Sequence, residues 1–195
     1  MTQREVLFTG VGGQGVQIVS KALAMAAVAD GREVMLLPTY SGGMRGGMTN
    51  AGLTVGDAPL RAVPVITSAW SAFAMDPAFW DTVSPNLAEG AIVVVNSTLF
   101  ALDVDVPGAR VYGVAAMDIA AEIESPMSAG FVLLGAFAAL TGLVAVESVV
   151  AAMRELVPAY RTQHVAANER AIGAGAASVP ALAEPAWSPV AGAHR

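Results

Sequence analysis

Six residues near the start of the chain, Gly10-Val11-Gly12-Gly13-Gln14-Gly15, constrain the fold more than any other stretch. Glycines at 10, 12 and 15 have the G-x-G-x-x-G spacing. An apolar run at residues 6–9 precedes them, and helix formers at residues 16–29, stopped by Asp30-Gly31, follow. That order reads as strand, tight turn and helix, the context that lifts the spacing above a chance match. Glycines let the backbone turn sharply and approach a ligand, and the N–H groups of the first helical turn point at any anion seated there. A second apolar run at residues 34–37, closed by Pro38, completes a β-α-β unit. Such a unit predicts a right-handed crossover and a parallel pair made by the first two strands.

The rest of the chain extends this unit into an α/β fold. The expected architecture is a Rossmann-like, mostly parallel sheet with helices on both faces and a small β-hairpin insertion. Residues 40–50 (YSGGMRGGMTN) hold four glycines and no periodicity, which marks a loop. The hairpin is expected from runs at 53–55 and 60–63 around Gly56-Asp57-Ala58-Pro59. Residues 69–75 read as a weak strand or helix start, and 77–86 as a short helix carrying Phe79 and Trp80. Residues 91–95 (AIVVV), bounded by Gly90 and Asn96-Ser97, form the strongest strand signal and are expected at the centre of a parallel sheet. A further strand is expected at 111–114, and helices at 117–123, 129–143 and 147–156, the second of them the most buried. The domain is expected over residues 1–175, with residues 176–195, rich in Ala, Gly, Ser and Pro, as an extended tail in which Trp187 anchors on a neighbour.

Composition removes whole classes of function. The chain has no cysteine, so disulfides, thiolate nucleophiles, Cys-type zinc and iron–sulfur ligation are excluded. Any redox centre must belong to a partner. A net charge of −6 with scattered Lys and Arg gives no footprint for nucleic acid. Only 13% of residues are charged against 55% apolar, which predicts subunit contacts over part of the surface. Residues 125–146 carry no charge, but glycines dilute the run and Glu147 resumes an amphipathic pattern, so a helix buried between sheet and partner is expected rather than a membrane span. The N-terminus runs into a strand without a signal-peptide pattern, and the cytoplasm is the expected location.

The turn has two readings at this level: a phosphate site, or a turn whose glycines serve only close helix packing. A dinucleotide would need an acidic residue at the end of the second strand, and Leu36-Leu37-Pro38-Thr39-Tyr40 offers none. Only Tyr40 could meet a nucleotide there. Arg45, between the glycine pairs of Gly42-Gly43-Met44-Arg45-Gly46-Gly47, suits a carboxylate or phosphate, or else a loop salt bridge. Asn96 and Ser97 stand at the C-terminal end of the strongest strand, where open α/β sheets bind ligands. His164 reads as a partly exposed or interface histidine, and His194 falls in the tail. No Ser–His–Asp order, paired carboxylates or metal-ligand spacing emerges, so no catalytic residue and no metal site are expected in this chain. Candidate binding residues are therefore Gly10, Gly12, Gly13, Gln14, Gly15, Tyr40, Arg45, Gly46, Asn96 and Ser97.

These pieces in this order resemble the gamma subunit, or gamma domain, of the 2-oxoacid:ferredoxin (acceptor) oxidoreductases, which act on pyruvate, 2-ketoisovalerate, 2-oxoglutarate or indolepyruvate. The match rests on Gly10 to Val16, the Arg45-Gly46-Gly47 loop, the 91–95 strand with Asn96-Ser97, Leu134-Gly135-Ala136, and Asn168-Glu169-Arg170-Ala171. The resemblance implies an accessory chain in a complex that converts a 2-oxoacid to acyl-coenzyme A. Thiamine diphosphate, magnesium and iron–sulfur clusters would sit on the alpha and beta thiamine-binding subunits and the ferredoxin-like subunit. Electrons would leave to ferredoxin or another acceptor, and the phosphates of coenzyme A would suit the turn at residues 12–15. The alternative is a free-standing nucleotide- or flavin-binding oxidoreductase domain using the same turn.

Overall fold

The computed structural model describes residues 2–40, 46–60, 65–102 and 104–187. Its centre is a mixed six-stranded sheet of order β2-β3-β1-β4-β5-β6. The strands are β1 (Gln3–Val11), β2 (Glu33–Tyr40), β3 (Met48–Gly56), β4 (Ala69–Ala74), β5 (Leu87–Asn96) and β6 (Arg110–Val114). The α-helices are α1 (Val16–Ala29), α2 (Ala116–Glu122), α3 (Ala129–Thr141), α4 (Val146–Leu156) and α5 (Val165–Ala177). The α/β class expected from the sequence holds.

The connectivity of the first half differs from the expectation. Strands β1, β4, β5 and β6 are parallel neighbours, but β2 does not touch β1. β3 lies between them, antiparallel to both, in register from Gln3↔Gly56 to Val11↔Met48 on one side and from Glu33↔Gly56 to Tyr40↔Thr49 on the other. The β-α-β unit therefore spans a gap of one strand, which β3 fills. The same strand replaces the expected hairpin at 53–55 and 60–63. Leu60 is outside any strand, and residues 61–63 lie outside the described residues. The reason is an alternating pattern that the short 53–55 run concealed: Ala51, Leu53 and Val55 all point into the core. A short return after β2 makes the antiparallel partner the nearest one available.

Both faces of the sheet are covered, but unequally. All five α-helices share one core with Phe8, Phe73, Ile92 and Val94, in which Phe8–Phe73 and Phe73–Phe137 ring centroids lie 5.1 and 6.2 Å apart. The opposite face carries Ala72, Ala74, Val93 and Val95 under Trp80, Val83, Phe100 and Val106. These come from the 3-10 turn Pro77–Thr82, which with Ser84–Asn86 replaces the short helix expected at 77–86, and from the loop after β5. β5 is paired on both sides and buried from Ala91 to Asn96, though β1 and β4 hold the middle of the sheet.

The uncharged stretch at 125–146 breaks into a 3-10 turn, the almost wholly buried α3 and the start of α4. No helix among the described residues is long and apolar enough to cross a membrane. α3 crosses α5 with the backbones in contact: a Cβ at Gly135 would overlap the Ile172 carbonyl, and one at Gly175 the Val132 carbonyl. The end of α3 is then closed from outside. N–H groups of Leu182, Glu184 and Ala186 donate to the carbonyls of Ala139, Leu140 and Thr141, satisfying acceptors that a helix end leaves open. Trp187 finishes this strap on its own chain rather than on a neighbour: its indole N–H donates to the Leu143 carbonyl at 3.0 Å, and the Arg32 guanidinium stands 3.9 Å over its ring.

Candidate functional site

The parallel strands β1, β4 and β5 end together, and the glycine-rich turn leaves from the first of them. Within the turn, Gly10 has the least room for a side chain. A Cβ there would sit 2.8 Å from Val16 Cγ2, 2.9 Å from Gln14 Oε1 and 3.0 Å from Met75 Cβ. Gly13 and Gly15 adopt φ of 104° and 84°, a region that L side chains rarely enter. Gly15 opens α1 directly. No side chain caps this helix and no acidic residue lies in its first turn. The N–H groups of Gly13, Gly15, Val16 and Gln17 meet no acceptor among the described residues. They are the donors that an anion would satisfy.

Gln14 holds the turn in shape. Its Oε1 accepts from Val11 N at 2.9 Å and its Nε2 donates to Asp76 Oδ2 at 2.8 Å. Asp76 in turn accepts from Ala78 N through Oδ1 at 3.0 Å, capping the 3-10 turn after β4. The ends of β1 and β4 are thereby joined by side chains, and the Met75 N–H to Thr9 carbonyl bond of 2.9 Å joins them by backbone.

The second glycine loop meets the first. Gly12 N donates to Gly47 O at 2.8 Å, and a Cβ on Gly12 would stand 3.5 Å from Gly46 N. Two segments more than thirty residues apart in sequence thus touch backbone to backbone. Tyr40 ends β2 opposite Thr49, at the far side of this loop. Arg45, the expected cation, lies outside the described residues.

Asn96 and Ser97 stand two strands from the turn, at the end of β5. Asn96 is fully buried, and its Nδ2 donates to the Met75 carbonyl at 3.2 Å, tying β5 to β4. Its Oδ1 has no partner among the described residues. Ser97 N donates to Val114 O at 2.8 Å, continuing the sheet. The structure brings Gly10 to Gly15 and Gly46 together and leaves Asn96 and Ser97 beside them, linked through Met75.

Sequence reasoning missed Asp76, although an Asp followed by Pro at the start of a turn is a capping signature. It also missed a pocket of about 250 Å³ that opens from the turn to Ser128, Arg161, His164 and Asn168. Nothing in local spacing could have found it, because those residues return to the turn from the far end of the chain.

Residues 5–178 match the family described as pyruvate ferredoxin/flavodoxin oxidoreductase. The chain is 34% identical over 158 residues to the pyruvate/ketoisovalerate oxidoreductases common subunit gamma of Thermococcus kodakarensis, covering 77% of this chain and 85% of that one. It is 29% identical over 162 residues to the 2-oxoglutarate synthase subunit KorC of Methanocaldococcus jannaschii, covering 80% and 84%. Among solved structures, the gamma subunit of a keto/oxoacid ferredoxin oxidoreductase from Geobacter sulfurreducens superposes with a TM-score of 0.75 at 25% identity, over 90% of this chain and 97% of that one. The 2-oxoglutarate:ferredoxin oxidoreductase of Magnetococcus marinus, determined with 2-oxoglutarate, coenzyme A and succinyl-CoA bound, shares the fold with a TM-score of 0.81 at 18% identity, over 93% of this chain and 32% of that one. The free-standing nucleotide- or flavin-binding alternative finds no support among these relatives. The chain belongs to the pyruvate ferredoxin/flavodoxin oxidoreductase family, as a gamma subunit of the 2-oxoacid:ferredoxin oxidoreductase type.

Proposed function

We propose that this chain supplies the coenzyme A phosphate site of a 2-oxoacid oxidoreductase complex that it also helps to assemble. In the overall reaction a 2-oxoacid loses CO2, its acyl group passes to the coenzyme A thiol, and two electrons leave to ferredoxin or another acceptor. Thiamine diphosphate with magnesium, on the alpha and beta subunits, supplies the decarboxylation chemistry, and iron–sulfur clusters on partners carry the electrons. The absence of cysteine in this chain agrees with that division. The cytoplasm is the proposed location.

The observation that carries the reading is the uncapped N-terminus of α1, with four backbone donors left open by the turn. A helix N-terminus with no acid of its own is an anion site. Gly46 lies against Gly12, and Arg45, its neighbour in sequence, is assigned to neutralise phosphate charge. The coenzyme A bound in the Magnetococcus enzyme is consistent with this choice of ligand.

The test uses the assembled complex. A Cβ at Gly13 meets nothing within 4 Å, so Gly13→Ala puts a methyl group into the open space over the turn without an internal clash. It also strains a positive φ, at a cost of about 1–2 kcal/mol. Gly13→Ala and Arg45→Ala are each expected to raise the KM for coenzyme A by about tenfold, the loss of one charge-assisted contact, while the complex still assembles. An unchanged KM in both would remove the turn and Arg45 from the site.

A further inference from the structure

β2 is an edge strand, and its neighbours fix the direction of its backbone bonds. Gly12 N donates to Gly47 O and Asp57 N to Thr2 O, one at each end of the β1–β3 ladder. The residues of β3 that exchange bonds with β1 are therefore Thr49, Ala51, Leu53 and Val55, every second one along the register. Opposite these on β2 stand Tyr40, Pro38, Leu36 and Val34, which consequently turn their backbone groups away from β3. Pro38 fits this placement, since a proline on an edge strand keeps its nitrogen on the open side. The N–H and C=O groups of Val34 and Leu36 meet no partner among the described residues. An edge of this length is a template for another strand unless charge, proline or a covering element blunts it, and Pro38 blunts one end alone.

Both faces of the same edge carry open apolar surface. On the helical face a groove of about 460 Å³ runs between Met25 and Val28 of α1, Val34 and Leu36 of β2, and Ala152 and Glu155 of α4. Val28 is 61% exposed there. On the other face Leu37 is 46% exposed beside Leu7 and Ile66. An extended segment laid along β2 sends alternate side chains to the two faces, so one segment covers both surfaces while pairing the open backbone groups. Glu155 is the one charged residue lining the groove among the described residues, and it forms no ion pair there. Its carboxylate sets the sign of the charge that a complementary partner brings.

A second copy of this chain fits the edge poorly. Antiparallel pairing about Leu36 would set Pro38 of each copy against Val34 of the other, and proline would withhold a donor at both ends. A foreign strand meets that loss once. We infer that β2 is the docking edge for an extended segment of a neighbouring subunit. That segment adds a strand to the six of the sheet, places apolar side chains in the groove between α1 and α4, and brings a Lys or Arg to Glu155. The inference rests on the chain being one subunit of a complex and is independent of coenzyme A.

The experiment uses the purified complex. Hydrogen exchange resolved to single amides should find the N–H groups of Val34 and Leu36 within about tenfold of those of Met35 and Leu37, although only the latter two bond inside this chain. A benzophenone side chain introduced at Val28 should cross-link on illumination to one segment of another subunit, identified by mass spectrometry. Glu155→Lys should weaken retention of that subunit by about tenfold through like-charge contact, with Glu155→Gln in between. Exchange at Val34 and Leu36 more than about tenfold faster than at Met35 and Leu37 would overturn the inference. Cross-links confined to a second copy, or to this chain itself, would overturn it as well. If these amides exchange freely in a complex that still assembles, the docking edge falls and the subunit reading stands; a chain that purifies without partners takes both down.

Discussion

Gln14 and Asp76 are joined at 2.8 Å across the ends of two parallel strands, while the other end of the same glutamine amide accepts from Val11 N. The polar residue in the middle of the glycine turn thus holds the loop in shape, and N–H groups around it are left without an acceptor among the described residues.

Removing that amide should loosen the turn without touching the core. Gln14→Ala leaves Val11 N–H and one Asp76 oxygen without their protein partner, a loss of about 1–3 kcal/mol for such groups. Thermal unfolding should show the loss. Hydrogen exchange should show Val11 N–H opening faster, with residues of α3 unchanged. A variant with wild-type exchange at Val11 would mean that another group maintains the turn.

The crossing of α3 and α5 offers a paired test of packing. Gly135→Ala would place a methyl group on the Ile172 carbonyl, which neither helix can move away from without opening the core. Destabilisation of several kcal/mol is expected, at the upper end for overpacked sites of about 1–3 kcal/mol. Gly173, exposed on the same α5, has nothing within 4 Å of its Cβ position. Gly173→Ala should stabilise by about 0.5–1 kcal/mol through helix propensity alone. Denaturant midpoints that move in the same direction for both variants would contradict the close crossing.

Much of this was legible in sequence, and the failures have physical causes. The turn followed from its glycine spacing, and α1, β5 and the buried α3 from local composition and apolar runs, because each signal lies within one segment. The position of β3 did not. Gly52 and Thr54 alternate with Leu53 and Val55, and the pattern states that one face is buried without saying which strands lie alongside. The nearness of the two glycine loops could be suspected from the sequence, whereas Arg161, His164 and Asn168 reach the turn through the packing of the chain's later half. Trp187 was assigned to a neighbour because an aromatic in a small-residue tail has no local partner. The cation that holds it, Arg32, comes from the turn after α1.

The strap after α5 gives a pH prediction. Glu184 accepts from the Tyr112 hydroxyl at 2.7 Å and pairs with Arg110. That hydrogen bond, followed by burial and the charge of Glu184, raises the Tyr112 pKa above the ordinary tyrosine value. The folded state therefore holds the phenolic proton more tightly than the unfolded chain does. The stabilisation is complete below about pH 10, the unperturbed tyrosine value, and is lost as pH rises through the raised one. Tyr112→Phe should be less stable than wild type at neutral pH, and the difference should shrink above that range. Alkaline unfolding curves of the two proteins check it; a constant difference across the range would mean that Tyr112 makes no such bond.

The most direct test of the central claim is to tag this chain in its own cells, purify it under native conditions, and record the co-purifying proteins by mass spectrometry together with the visible absorption. The account predicts larger thiamine-binding subunits in fixed ratio, the brown absorption of iron–sulfur clusters, and coenzyme A-dependent oxidation of a 2-oxoacid. A colourless chain that purifies alone with a nucleotide or flavin bound would contradict it.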